Sequence, residues 1–228
     1  MEFKTYGDPR NDSVFLIHDV GLNPAQYEMT AKELSRSFFV VLPELDGHGA
    51  SDVPFTNIAD QARQIMEYID TRRQGSTLLV GGSGLGADIA LTIISHRPFM
   101  AAYALLDGLT FGENPTYPFF IHRRYHSLER NRLLLEHMGR LADRSVISAA
   151  AASMREFQLP EVTSLRSKVL IVYGGRSSRA TKRSAVDLFR SIDDSVTEEM
   201  EGMSHGELSL ENPGRLAILI YQLVRSLT

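Results

Sequence analysis

The 228-residue chain contains no cysteine and no tryptophan. Without cysteine, disulfides, thiol nucleophiles and thiolate-bound metals are excluded outright. No apolar run approaches the ~20 residues that a membrane-spanning helix needs. The start, Met1-Glu2-Phe3-Lys4-Thr5, lacks the basic-then-apolar layout of a signal peptide, so a cytoplasmic location is expected. Positive charge is in slight deficit, with 24 Lys and Arg against 28 Asp and Glu and a formal net charge of -4. That balance gives no reason to expect a nucleic-acid or anionic-membrane surface. Internal repeats and low-complexity segments are missing as well. Metal ligation is poorly served: of the seven histidines only His122 and His126 share a helical i, i+4 spacing, and no glutamate of the zinc-protease pattern lies between them. No metal and no cofactor is expected.

What the chain does have is enough apolar residue, 43%, to bury one sizeable core. A single domain over residues 1–228 is expected. Short apolar runs alternate with longer segments of helical period, the pattern of a mainly parallel α/β sheet with helices on both faces. Strands are predicted at Val14–His18, Phe38–Leu42, Thr77–Gly81, Tyr103–Asp107 and Lys168–Tyr173, with a weaker edge strand at Ser195–Met200. Helices are predicted at Pro24–Ser35, Ile58–Arg73, Gly86–His96, Thr181–Ser191 and Pro213–Leu227. Residues 113–159 break the alternation. They carry no strand signal, only two helices (one including His122–His137, the other Arg144–Phe157), which suggests a small helical cap over the sheet. The basic run His122–His126 within it reads first as a solvated helix face.

In open parallel sheets the chemistry lies beyond the carboxyl ends of the strands. Those ends carry His18-Asp19-Val20, the stretch Glu44 to Asp52 (ELDGHGASD), the glycine-rich Gly81 to Gly86 (GGSGLG), Gly174-Gly175-Arg176-Ser177, and Met203-Ser204-His205. Together, and in this order, they resemble the α/β-hydrolase fold over nearly the whole chain. The family carries a His-Gly turn after its first core strand, matched by His18-Asp19. It carries an Asp/Glu-x-x-Gly-His-Gly-x-Ser-Asp stretch, matched in full by Glu44 to Asp52. A glycine-flanked nucleophile elbow, a cap, a late acid and a final histidine before the last helix complete it, and His205 ahead of Glu211-Asn212-Pro213 matches the final histidine. The resemblance implies at least six mostly parallel strands and an esterase-like hydrolase.

The elbow is a tight strand-to-helix turn with glycine two residues before and two after the nucleophile. With Ser83 at the apex the flanks are Gly81 and Leu85; with Gly84 they are Gly82 and Gly86, and Ile89-Ala90-Leu91 then falls in the usual helical register. Gly84 has no side chain to attack with. Were Ser83 the nucleophile, His205 would be its base. A dinucleotide turn is a weaker account of the same glycines, since only Asp107 stands where the acidic partner is needed. The family's acid slot after the fifth strand holds Ser177, which cannot support an imidazolium, leaving Asp107 as the substitute acid. Asp19 replaces a glycine of the oxyanion turn, next to Val20, where negative charge opposes a developing oxyanion. His48, in a tight loop, reads as structural.

Three readings stay open. The first is a family member with a degenerate triad that keeps a pocket for a small apolar or acyl-type ligand, with Val20, Gly84, Leu85 and His205 converging beneath the cap. The second is an active ester hydrolase using Ser83, His205 and Asp107. The third is a protein-interaction module without catalysis. The sequence leaves the oligomeric state undefined.

Overall fold

A computed structural model of the protein describes residues 1–109 and 136–225. Seven strands form one sheet: β1 (Glu2–Tyr6), β2 (Ser13–Ile17), β3 (Phe39–Glu44), β4 (Thr77–Ser83), β5 (Ala101–Asp107), β6 (Lys168–Gly174) and β7 (Ser195–Met200). Their spatial order is β1-β3-β2-β4-β5-β6-β7. Only β1 runs antiparallel, pairing Glu2 with Glu44 and Tyr6 with Val40. The six expected strands are all present, with ends shifted by up to two residues. β1 is an addition that the sequence pattern did not disclose.

Helices lying wholly within the described residues are α1 (Glu28–Leu34), α2 (Ile58–Arg72), α3 (Leu85–His96), α4 (Arg144–Glu156), α5 (Arg179–Ser191), α6 (Glu207–Glu211) and α7 (Pro213–Arg225). The helix expected from Pro24 opens as a 3-10 turn, Pro24–Tyr27, capped by Asn23. Successive strand residues point to opposite faces, so β2 feeds two cores at once. Phe15 and Ile17 join Val80, Leu106 and residues of α2, α3 and α4 such as Ile65, Ile89 and Ile147. Val14 and Leu16 join Leu79, Leu105 and residues of α1 and α7 such as Leu34 and Ile220. Every residue of β2 and β3 is buried, which is why those strands read as unbroken apolar runs.

The first expected cap helix, with the His122–His126 pair, falls mostly on residues outside those described. Residues 136–159 are described, and α4 forms as expected. Its segment lies across the carboxyl ends of β2 and β3. Ala142 donates its N–H to Gly21 O (3.1 Å), and Asn23 Nδ2 donates to Arg140 O (3.0 Å). Ile147 stands against Gly21 and Val146 against Gly47.

Candidate functional site

β4 ends at Ser83 and α3 begins at Leu85, so Gly84 alone makes the turn, at φ 52° and ψ -115°. Backbone this far from the common wells costs a residue with a side chain on the order of 1–3 kcal/mol; glycine tolerates it. The neighbours at two residues' distance are glycine for a separate reason. A Cβ on Gly82 would lie 2.6 Å from Ile17 O and within the backbone of Gly86, and one on Gly86 would overlap the Ile17 carbonyl. This close approach sets α3 directly against the end of β2.

Against that turn the chain places Asp19. Its Oδ1 accepts from the N–H of Val20 (2.6 Å) and of Leu85 (3.0 Å), and its Oδ2 stands 2.8 Å from His205 Nε2. The Leu85 N–H opens α3, so the carboxylate caps a twelve-residue helix at its positive end. The loop that carries it is tied from both sides. Asp19 N–H donates to Gln26 Oε1 (2.8 Å), whose amide in turn donates to Ser209 of α6 (2.9 Å), just past His205. His18 is fully buried, receives the Leu45 N–H at Nε2 (3.1 Å), and so holds its proton on Nδ1, which donates to Asp19 O (2.9 Å). Burial, then the neighbouring His48, keep His18 well below its ordinary pKa and hence neutral.

His205 sits before α6 with its ring over Gly108; a Cβ there would collide with its Cε1 and Nδ1. Burial alone would lower its pKa. The hydrogen bond and charge of Asp19, with a further contribution from Asp107, reverse that and leave it raised. The imidazole is therefore disposed to keep its second proton and face Asp19 as a cation. Asp107, the last residue of β5, accepts from the Ser83 hydroxyl (3.1 Å). Burial lifts its pKa to about 6, against the pull of His205. The Ser83 hydroxyl, fully buried, is thus directed at Asp107. Ser177 lies in the turn after β6, its N–H on Gly174 O (2.9 Å) and its Oγ buried with no partner.

Val20, Leu85 and His205 meet on one carboxylate, and Gly84 adjoins them. Asp19 was expected to oppose an oxyanion; in the structure its carboxylate accepts from the Val20 and Leu85 N–H groups. That pairing with His205 was missed in the sequence. The signal available was an acidic residue, in place of glycine, facing the start of a helix. Also missed was Asp88, one turn into α3: it is fully buried, neither carboxyl oxygen has a partner, and burial followed by the charge of Asp19 raises its pKa well above normal. It is held as the neutral acid. His48 is buried with Nδ1 on Asp46 O (3.0 Å) and its pKa lowered to about 4 by burial. Among the described residues no group of three His, Asp or Glu is arranged to hold a metal, and no helix is long and apolar enough to cross a membrane.

A parallel sheet with this crossover order and a β4-turn-α3 elbow is the frame of a large class of hydrolases. The profile of the α/β hydrolase family matches residues 14–218, and the chain belongs to that family. No curated protein matches the sequence. Among solved structures it is similar to the putative α/β hydrolase family protein from Desulfitobacterium hafniense, at 16% identity and a TM-score of 0.80 over 98% of this chain and 100% of that one. A thermophilic esterase from Thermogutta terrifontis gives 18% identity and a TM-score of 0.78, covering 98% and 92%. The enol-lactonase from Burkholderia xenovorans LB400 gives 14% and 0.81, covering 98% and 95%. At such identities the likeness is one of fold.

Proposed function

We propose that this family member is not a serine hydrolase but a protein with a degenerate triad. On this reading Gly84 occupies the nucleophile position, Ser177 stands in the acid slot, and the space under the segment 113–159, acting as a cap, takes a small apolar or acyl-type ligand. One observation carries the reading: the Asp19 carboxylate occupies the Val20 and Leu85 N–H groups opposite a residue with no side chain. An ester carbonyl polarised by these donors would have to displace a hydrogen-bonded anion first. A serine mechanism also requires a neutral imidazole as base, and Asp19 favours the protonated form of His205. Any chemistry here would have to proceed without a serine nucleophile. The structurally similar proteins named above include an esterase and an enol-lactonase.

The test is labelling by a fluorophosphonate, with the adduct mapped by mass spectrometry, alongside turnover of activated esters. No adduct and no turnover are expected, and Ser83→Ala should change neither. Stoichiometric labelling of Ser83, abolished by His205→Ala, would overturn the proposal in favour of a hydrolase built on Ser83, His205 and Asp107. Thermal stabilisation by acyl-type ligands without turnover would support the binding role.

A further inference from the structure

At the other end of the sheet, where β2, β4 and β5 begin, lies a groove of about 740 Å³ that no part of the preceding site touches. Its volume falls within the roughly 300–1,000 Å³ usual for small-molecule sites. The groove gathers guanidinium groups. Arg10 is already neutralised by a forked contact with Asp8, but Arg72, Arg73 and Arg166 take part in no ion pair among the described residues. Among the described residues Asp12 is the only acidic one lining it, so the groove is positive although the chain as a whole is negative.

Arg73 is not a loose surface side chain. Its Nη1 donates to Pro9 O (2.8 Å), its Nη2 to Asn11 O (2.7 Å), and its guanidinium stacks 5.0 Å over the Phe39 ring. With both ends fixed, its Nε–H is left buried and without an acceptor. The next residue, Gln74, is the one non-glycine among those described with positive φ, at 57°; strain of this kind collects at ligand sites. Helix ends explain part of the charge, since α2 and α3 finish here and cations favour helix C-termini. They do not explain Arg166, which belongs to no helix and precedes β6. Phe99, 80% exposed, also lines the groove.

We infer that this groove is a ligand site for a small organic phosphate, with the arginines taking the phosphoryl oxygens and Phe99 the organic portion. The guanidinium fork matches tetrahedral oxyanions bidentately, and Arg72 and Arg166 can turn theirs to the groove beside the anchored Arg73, whose charge adds to the field. The proposal is independent of the fate of the triad.

Calorimetric titration of the whole chain with ATP, pyrophosphate and citrate tests it. ATP should bind saturably at one site, more weakly as salt rises. Arg166→Gln and Arg72→Gln should each weaken it about tenfold, the scale of a lost charge-assisted hydrogen bond. Both side chains are exposed, so the fold should survive, and unchanged melting of the variants checks this. Phe99→Ser should weaken ATP and leave pyrophosphate unaffected. Absence of saturable binding at millimolar ligand, or binding indifferent to both arginine substitutions, overturns the site. Citrate binding as tightly as ATP with the same arginine dependence overturns its assignment to phosphates.

Discussion

If Asp19 blocks the site, supplying a nucleophile alone should not create an esterase. Gly84→Ser puts a hydroxyl at the turn between β4 and α3, at a cost of about 1–3 kcal/mol for a side chain at φ 52° and ψ -115°. The Val20 and Leu85 N–H groups would still be held by Asp19 at 2.6 and 3.0 Å, and Asp19, 2.8 Å from His205, would still raise the pKa of that imidazole. Asp19→Gly combined with Gly84→Ser removes both obstacles. The two N–H groups become free, and without Asp19 burial lowers the pKa of His205, which favours the neutral base. One oxyanion donor is worth roughly 10²–10³ in rate, so hydrolysis of p-nitrophenyl acetate should rise by at least about 10² from the single to the double variant. Removing one partner of a buried pair costs roughly 3–5 kcal/mol; His205 keeps some access to water, 12% of its side chain, so the lower end applies. Melting of both variants must accompany the rates. A single Gly84→Ser variant as active as the double would refute the blocking role of Asp19.

Other perturbations separate the neighbouring groups. Asp107 is pushed up to about 6 against an ordinary 3.8, so between these values the folded state binds more protons than the unfolded one. Stability should therefore fall as pH rises through about 4 to 6, by roughly 2–3 kcal/mol from Asp107 on top of the share of Asp88, whose pKa is raised as well, and Asp107→Asn should reduce that slope in urea unfolding by the Asp107 share while keeping an acceptor for Ser83. The pKa of His205 is raised, so its contribution is complete below about 6.5 and lost as pH climbs through the folded value. In a pH series His205→Gln should remove that later decline and move the Asp107 window upward, because the pull of His205 on that carboxyl is lost. Gly86→Ala should cost more than about 3 kcal/mol or prevent folding, since its Cβ would enter the Ile17 carbonyl; Gly214→Ala, with open space around it in the first turn of α7, should be neutral or stabilise by up to about 1 kcal/mol in thermal melting.

The fold was legible because its strands are buried on both sides. Val14 to Ile17 and Phe39 to Leu42 have no polar face to obscure them, and Gly82 and Gly86 mark a backbone approach that any side chain would prevent. β1 escaped notice for the opposite reason: Glu2, Lys4 and Thr5 keep an exposed edge, and its apolar positions are too few to stand out. α6 is five residues long, too short to carry a period. In the candidate site, the residues near the turn came from motif order, but their partners did not. A carboxylate at position 19 can oppose an oxyanion or take its place, and only the direction of the side chain separates the two. Likewise the Ser83 hydroxyl has Asp107 within reach because β4 and β5 pair Ser83 with Asp107 in register, a fact of sheet alignment that lies 24 residues apart in the chain.

On the proposed reading, the glycine at position 84 and the aspartate at position 19 are two halves of one change. The start of a twelve-residue helix and the Val20 N–H concentrate positive potential at a single point. A serine hydrolase fills that point only during the reaction, with the substrate's own oxygen. A carboxylate fills it permanently, and its second oxygen then reaches the histidine that a serine hydroxyl would otherwise engage. The tight turn persists because packing, not catalysis, maintains it: Gly82 and Gly86 lock α3 onto the end of β2 whatever stands between them, and glycine at the apex carries no strain cost. Loss of the nucleophile thus relaxes the turn, and gain of the carboxylate satisfies the two N–H groups and the imidazole left facing it. Each substitution makes the other less costly to keep, which is why the site can lose its serine chemistry without loosening the fold around it.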